Sequence, residues 1–167
     1  DWPLAAKALG IETLASALIM LLGAVVAFAL VSSNPDWYFA FMPDSLAGDR
    51  SPASSTEDLR ATLYDTADSE SLATFATTLF SHNSRVAIFA FALGFAFCIP
   101  SAILMLYNGC NLGAFVALFV SRDLGFELGG WLIIHGATEI FAIILAGAAG
   151  IHIGRAMAFP GKQSRAA

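Results

Sequence analysis

WLIIHGATEIFAIILAGAAGIHIG, residues 131–154, decides the class of this protein. Twenty-four residues hold one carboxylate, Glu139, and two histidines, His135 and His152, with no lysine or arginine. A helix needs roughly 20 apolar residues to cross a bilayer core. This run meets that length, so it is predicted to span a membrane.

Working outward, Ile11 to Ser33 forms a second such run, closed by Asn34-Pro35. Val86 to Tyr107 forms another, with Gly94 and Pro100 inside it as an expected kink. Residues 109–121 are shorter and follow Asn108-Gly109-Cys110-Asn111, which suggests a short or re-entrant segment. The expectation is an all-α, polytopic transmembrane bundle forming one domain, with about four segments at 11–33, 86–107, 109–121 and 131–154. Composition agrees. Of the 167 residues 57% are apolar and 13% charged, against about 25% charged in a soluble domain. A net charge of −5 without a basic stripe argues against nucleic-acid binding. Two cysteines give no disulfide framework.

Residues 34–81 differ in kind. They carry Asp36, Asp44, Asp49, Glu57, Asp58, Asp65, Asp68 and Glu70 but only Arg50 and Arg60. Ser54 and Glu57 have capping-box spacing, predicting a helix start there. Leu72, Phe75, Ala76, Leu79 and Phe80 share one helical face. An amphipathic helix leading into a span lies along the membrane interface or packs on other protein. Basic residues orient the chain. Lys7 precedes the first span, and Arg155, Lys162 and Arg165 follow the last. With four crossings both ends are expected to be cytoplasmic and the acidic loop outside. Trp2, Trp37, Tyr38 and Trp131 flank spans as interfacial aromatics do.

His135 and Glu139 stand four residues apart, one helical turn. The same face continues through Ala142, Ala146, Gly150 and Gly154, small residues that let another backbone approach. The second span carries a matching stripe, Asn83, Ala87, Ala90, Gly94 and Cys98, and the two stripes are expected to pack together. Ionisable residues at membrane depth mark function by default, here a proton relay, ion pathway or metal site. The simpler reading is that Glu139 bonds His135, or Asn108 and Asn111, and sets helix register. No metal-ligand spacing, nucleophile context or phosphate loop is present, so neither metal nor cofactor is expected. His152 is expected at the interface.

Asn83-Ser84-Arg85-Val86-Ala87, Phe91-Ala92-Leu93-Gly94, Tyr107-Asn108-Gly109 and Leu112-Gly113-Ala114 resemble the stage II sporulation protein M family of bacterial membrane proteins. His135-Gly136-x-x-Glu139, Ala146-Gly147-Ala148-Ala149-Gly150 and Phe159-Pro160-Gly161 continue the resemblance. Ser84 stands where the family more often has a second Asn. The resemblance implies a further span after Phe159-Pro160-Gly161 and a cytoplasmic region before the first, so the chain is expected to be incomplete at both ends. The candidate polar site is His135, Glu139, Asn108, Asn111, Asn83 and Arg85. Candidate packing residues are Gly94, Gly109, Gly113, Ala146, Gly147, Gly150 and Gly154.

The sporulation member organises an envelope complex with peptidoglycan-degrading partners and is not itself the hydrolase. The resemblance therefore implies a non-catalytic scaffold in the bacterial cytoplasmic membrane. Its partners would be lipid, other envelope membrane proteins and further copies of itself. A channel or proton-coupled transporter using Glu139 and His135 is the alternative.

Overall fold

A computed structural model describes residues 10–64 and 69–159, the side chains of 69–76 excepted. Leu72, Phe75 and Ala76 of the amphipathic face thus lie outside the described side chains. Every described element is helical. Helix α1 spans Gly10–Ser33, followed by short α2 (Trp37–Phe41), α3 (Asp44–Ala47) and α4 (Thr56–Tyr64). Helix α5 spans Ser69–Ala92, α6 Ile99–Val120, α7 Gly125–His135 and α8 Ala137–Ala158.

The chain is apolar outside and small or polar inside. On α1, Glu12, Ser16, Met20, Gly23, Ala27 and Val31 are buried, whereas Ile11, Leu14, Leu18, Leu21, Leu22 and Val25 face outward. Water would not tolerate that exterior, but a lipid tail is as apolar as leucine, so close packing drives helix association. Helices α1, α6 and α8 are long and apolar enough to cross a membrane. The protein is an all-α membrane protein.

The registers of contact give the directions. An added Cβ on Gly109 would strike Met20, and one on Gly113 would strike Ala24, so α1 and α6 run in parallel. Glu12 meets Arg155, and Ser16 Oγ donates to the Ile144 carbonyl at 2.9 Å, so α8 runs antiparallel to α1. Asn83 meets Glu139 and Gly150 abuts Ala90, which sets α5 parallel to α8. Gly10 and Ala158 therefore share one end of the bundle, and residues 34–64 cap the other.

Three expected segments are corrected. Residues 86–107 are not one kinked span: α5 ends at Ala92, a 3-10 turn covers Leu93–Phe95, and the chain reverses. Phe97 and Cys98 have φ of 59° and 61°, the left-handed region that bulky side chains avoid. Gly154 makes room for them, since a Cβ there would lie 2.6 Å from the Cys98 Cα. Pro100 sits in the first turn of α6, where a missing N–H leaves nothing unpaired. It starts a helix instead of bending one. Residues 109–121 are accordingly no separate segment, because α6 runs unbroken to Val120. The run 131–154 also divides, at Gly136, between α7 and α8.

The capping box sits one residue later than expected. Ser55 Oγ accepts from the Asp58 amide at 3.1 Å, and Asp58 accepts from the Ser55 amide at 3.3 Å. Ser54 is diverted: its hydroxyl donates to the Asp49 carbonyl at 3.2 Å and closes the preceding turn.

The acidic loop forms a cap with its own apolar interior. Tyr38, Met42, Leu59 and Leu63 pack against Ala117, Leu118, Phe119 and Leu128. Tyr38, 1% exposed, donates to the Arg50 carbonyl at 3.1 Å. Burial pushes its phenol up to about 12. Because the folded value exceeds the ordinary value of about 10, folding favours the protonated form. That contribution is complete below pH ~10 and is lost as pH rises toward ~12. Tyr38→Phe is expected to cost about 1 kcal/mol at neutral pH and to flatten the alkaline decline in a thermal-unfolding series.

Candidate functional site

Glu139 and Asn83, both singled out in the sequence, meet across α8 and α5. The Asn83 amide donates to the Glu139 carboxylate in a short hydrogen bond. Glu139 lies in the first turn of α8. Below this pair the two small-residue stripes are in backbone contact: a Cβ on Gly94 would lie 2.6 Å from the Gly150 Cα. Ser101 Oγ, from α6, donates to the Ala90 carbonyl at 2.6 Å and ties the same seam.

His135 is not part of this pair. The two residues fall on different helices, α7 ending at His135 and α8 beginning at Ala137. His135 is exposed, its Nδ1 lies 3.1 Å from the Trp131 carbonyl, and its ring stacks on Trp131 at 4.9 Å. Arg85 is also exposed. Asn111 is buried, and its amide, oriented with the nitrogen toward the surrounding acceptors, donates to the carbonyls of Phe41, at 2.5 Å, and Tyr107, at 3.3 Å. It links α6 to the cap.

Asn83, Asn108 and Asn111 come together on a cavity of about 100 Å³ beneath the cap. His82 joins them, with apolar walls that include Met20, Phe115, Trp131 and Ile143. Leu79 faces this cavity while neighbouring Phe80 is exposed, so the amphipathic face divides there. His82 was not anticipated. The signal was its place beside Asn83 at the polar start of an apolar run.

A second unanticipated cluster closes the opposite end. Glu12, 1% exposed, receives Arg155 Nη2 at 2.9 Å and has His152 Nδ1 at 3.2 Å. Glu12 Oε2 is buried with no hydrogen-bond partner among the described residues. His152, expected at the interface, stands toward that end of α8 and pairs with Glu12 of α1 while its side chain stays 43% exposed. A carboxylate at the entrance of an apolar run was the available signal.

The chemistry here is hydrogen bonding and charge pairing. Among the described residues no group of three His, Cys, Asp or Glu is placed to hold a metal ion. The Asn83–Glu139 bond ties α5 to α8. Glu139→Gln, which still accepts from Asn83, is expected to leave stability unchanged. Glu139→Ala strands the Asn83 amide and is expected to cost about 1–3 kcal/mol, read as a fall in unfolding temperature in detergent.

No curated protein and no solved structure matched the chain. Residues 16–167 match the family model described as Stage II sporulation protein M. The seam glycines, the Asn83–Glu139 pair and the amides of α6 all fall inside that match, and the chain belongs to the stage II sporulation protein M family.

Proposed function

We propose that this protein is a non-catalytic scaffold of a bacterial envelope complex, held in the cytoplasmic membrane with both ends on the cytoplasmic side. The observation that carries the reading is the cap. Arg50 turns inward, donating to the carbonyls of Ala47 at 3.0 Å and Leu46 at 2.8 Å and lying over the Phe115 ring. Arg60 pairs with Glu127 at 3.5 Å, and Arg122, beyond α6, donates to the Pro52 carbonyl at 2.6 Å. Asp36, Asp44, Asp49, Glu57 and Asp58 are left on the outer surface. A cap fixed to a bundle and acidic on its outside suits docking of an envelope protein with a basic surface.

Lys7, Arg155, Lys162 and Arg165, near the two chain ends in sequence, flank the helix ends away from the acidic cap and support the orientation. Helices in backbone contact along glycine seams, with Glu139 already bonded to Asn83, favour scaffold over channel.

The test is co-purification in mild detergent. The protein is expected to bring down an envelope partner or a second copy, and the complex to weaken with rising salt. Joint replacement of Asp44, Asp49, Glu57 and Asp58 by their amides is expected to release the partner without unfolding the bundle. A partner-free monomer that moves solutes across liposomes would instead establish the transporter reading. In a variant without Cys98 and Cys110, cysteine at Ser55 is expected to react with an impermeant reagent in intact cells, and cysteine at Ser164 is not.

A further inference from the structure

The seams close the membrane bundle over most of its length, but beneath the cap it opens into the cavity of about 100 Å³. Gly136, where α7 gives way to α8, is part of its lining. Five of its lining side chains can hydrogen-bond: His82, Asn83, Asn108, Asn111 and, through its indole N–H, Trp131. Two of these amides already have work, Asn83 on Glu139 and Asn111 on the cap. His82 is different. Its Nε2 is buried with no hydrogen-bond partner among the described residues, a costly arrangement that a guest able to bond it would relieve. Asn108, also buried, stands one turn of α6 from Asn111.

The lining selects the guest. Among the described residues no lysine, arginine, aspartate or glutamate lines the cavity, and the nearby Glu139 carboxylate is already bonded to Asn83, so an ionised guest would enter without a free counter-charge on the wall, at high cost. A pure hydrocarbon would leave the imidazole and amides unpaired. A hydroxyl can both give and take a hydrogen bond, as these groups require. Size limits how much enters: an apolar cavity of about 150 Å³ just holds a benzene ring. A hydroxyl and the few carbons next to it fit, and the remaining chain leaves through the cavity's open side.

We infer that this cavity binds the hydroxyl end of an uncharged, chain-bearing alcohol of the membrane, either a simple long-chain alcohol or an acylglycerol. His82 Nε2 and the Asn108 amide are its hydrogen-bonding partners. The apolar walls take the first carbons of its chain.

Trp131 lines the cavity and reports on it. With Trp2 and Trp37 replaced by Phe, it is the sole tryptophan. This protein, in lipid nanodiscs, is titrated with dodecan-1-ol, 1-dodecanoylglycerol, dodecane, dodecanoate and dodecylammonium. The expected result is a saturable change in Trp131 emission with the alcohol or the glyceride, the stronger of the two naming the source. Half-saturation is expected about tenfold below that of dodecane and both ions, a difference of ~1.4 kcal/mol. His82→Leu removes the partner and Leu112→Phe fills the space, and each is expected to weaken binding by about tenfold or more. Two variants of opposite design keep the test valid if one fails to fold. A non-saturable change shared with dodecane, tighter binding of either ion, or binding untouched in the folded variants would overturn the inference.

Discussion

Gly113→Ala is expected to destabilise the protein by about 3 kcal/mol, the upper end of the usual range for overpacking. The Cβ would lie 2.7 Å from both the Cα and the carbonyl carbon of Ala24, and closer still to its oxygen. Backbone cannot rotate away as a flexible side chain can, so α1 and α6 must separate along their whole contact. Gly113→Leu is expected to prevent folding outright. Gly129→Ala on α7 is the control, because a Cβ there meets nothing within 4 Å. Relief of glycine's conformational freedom should make that variant stabler by about 0.5–1 kcal/mol. Thermal unfolding of both alanine variants in one detergent checks the contrast. Equal effects would mean that the α1–α6 seam does not hold the bundle.

Arg155→Leu is expected to cost about 3 kcal/mol, the low end for breaking a buried ion pair. Glu12 would keep its buried charge with His152 as its remaining partner. The value is low in the range because the Arg155 side chain is 55% exposed and its own hydration changes little. The double variant Glu12→Leu/Arg155→Leu is expected to recover most of the loss, since two apolar side chains leave no charge to bury. A double-mutant cycle on unfolding free energy measures the coupling. Additive losses would show that Arg155 contributes nothing through Glu12. The pair joins the start of α1 to the end of α8, so the single variant should also fray that end of the bundle in hydrogen exchange before the cap opens.

The contrast between Glu139 and Glu12 shows how far the sequence reached. Both are carboxylates in apolar runs, but only Glu139 was singled out from the sequence. Glu139 stood in a stripe of small residues with Asn83 in a matching stripe, and that periodicity brought the two together on paper as in the fold. His135 failed the same logic because it ends α7, while Glu139 lies on α8. Glu12 carried no local hint of Arg155 or His152. Those partners arrive only when α8 folds back antiparallel to α1.

The amino-acid sequence by itself determined that the chain is helical, that it belongs in a membrane, where α1 begins and ends, and which faces are small enough to pack. Those properties follow from apolar run length and 3.6-residue periodicity, which a window of some twenty residues contains. Tertiary structure alone decided the rest. Gly94 and Pro100 marked a break near Phe97 and Cys98 but not a reversal, and left-handed backbone there persists because Gly154, on another helix, leaves it space. The acidic loop became a cap because Tyr38 and Leu59 found Phe119 at the end of α6. The cavity, lined by His82 from α5 and Asn108 from α6, exists only where five helices and the cap stop short of touching. Long-range packing fixes such places, and no single segment encodes them.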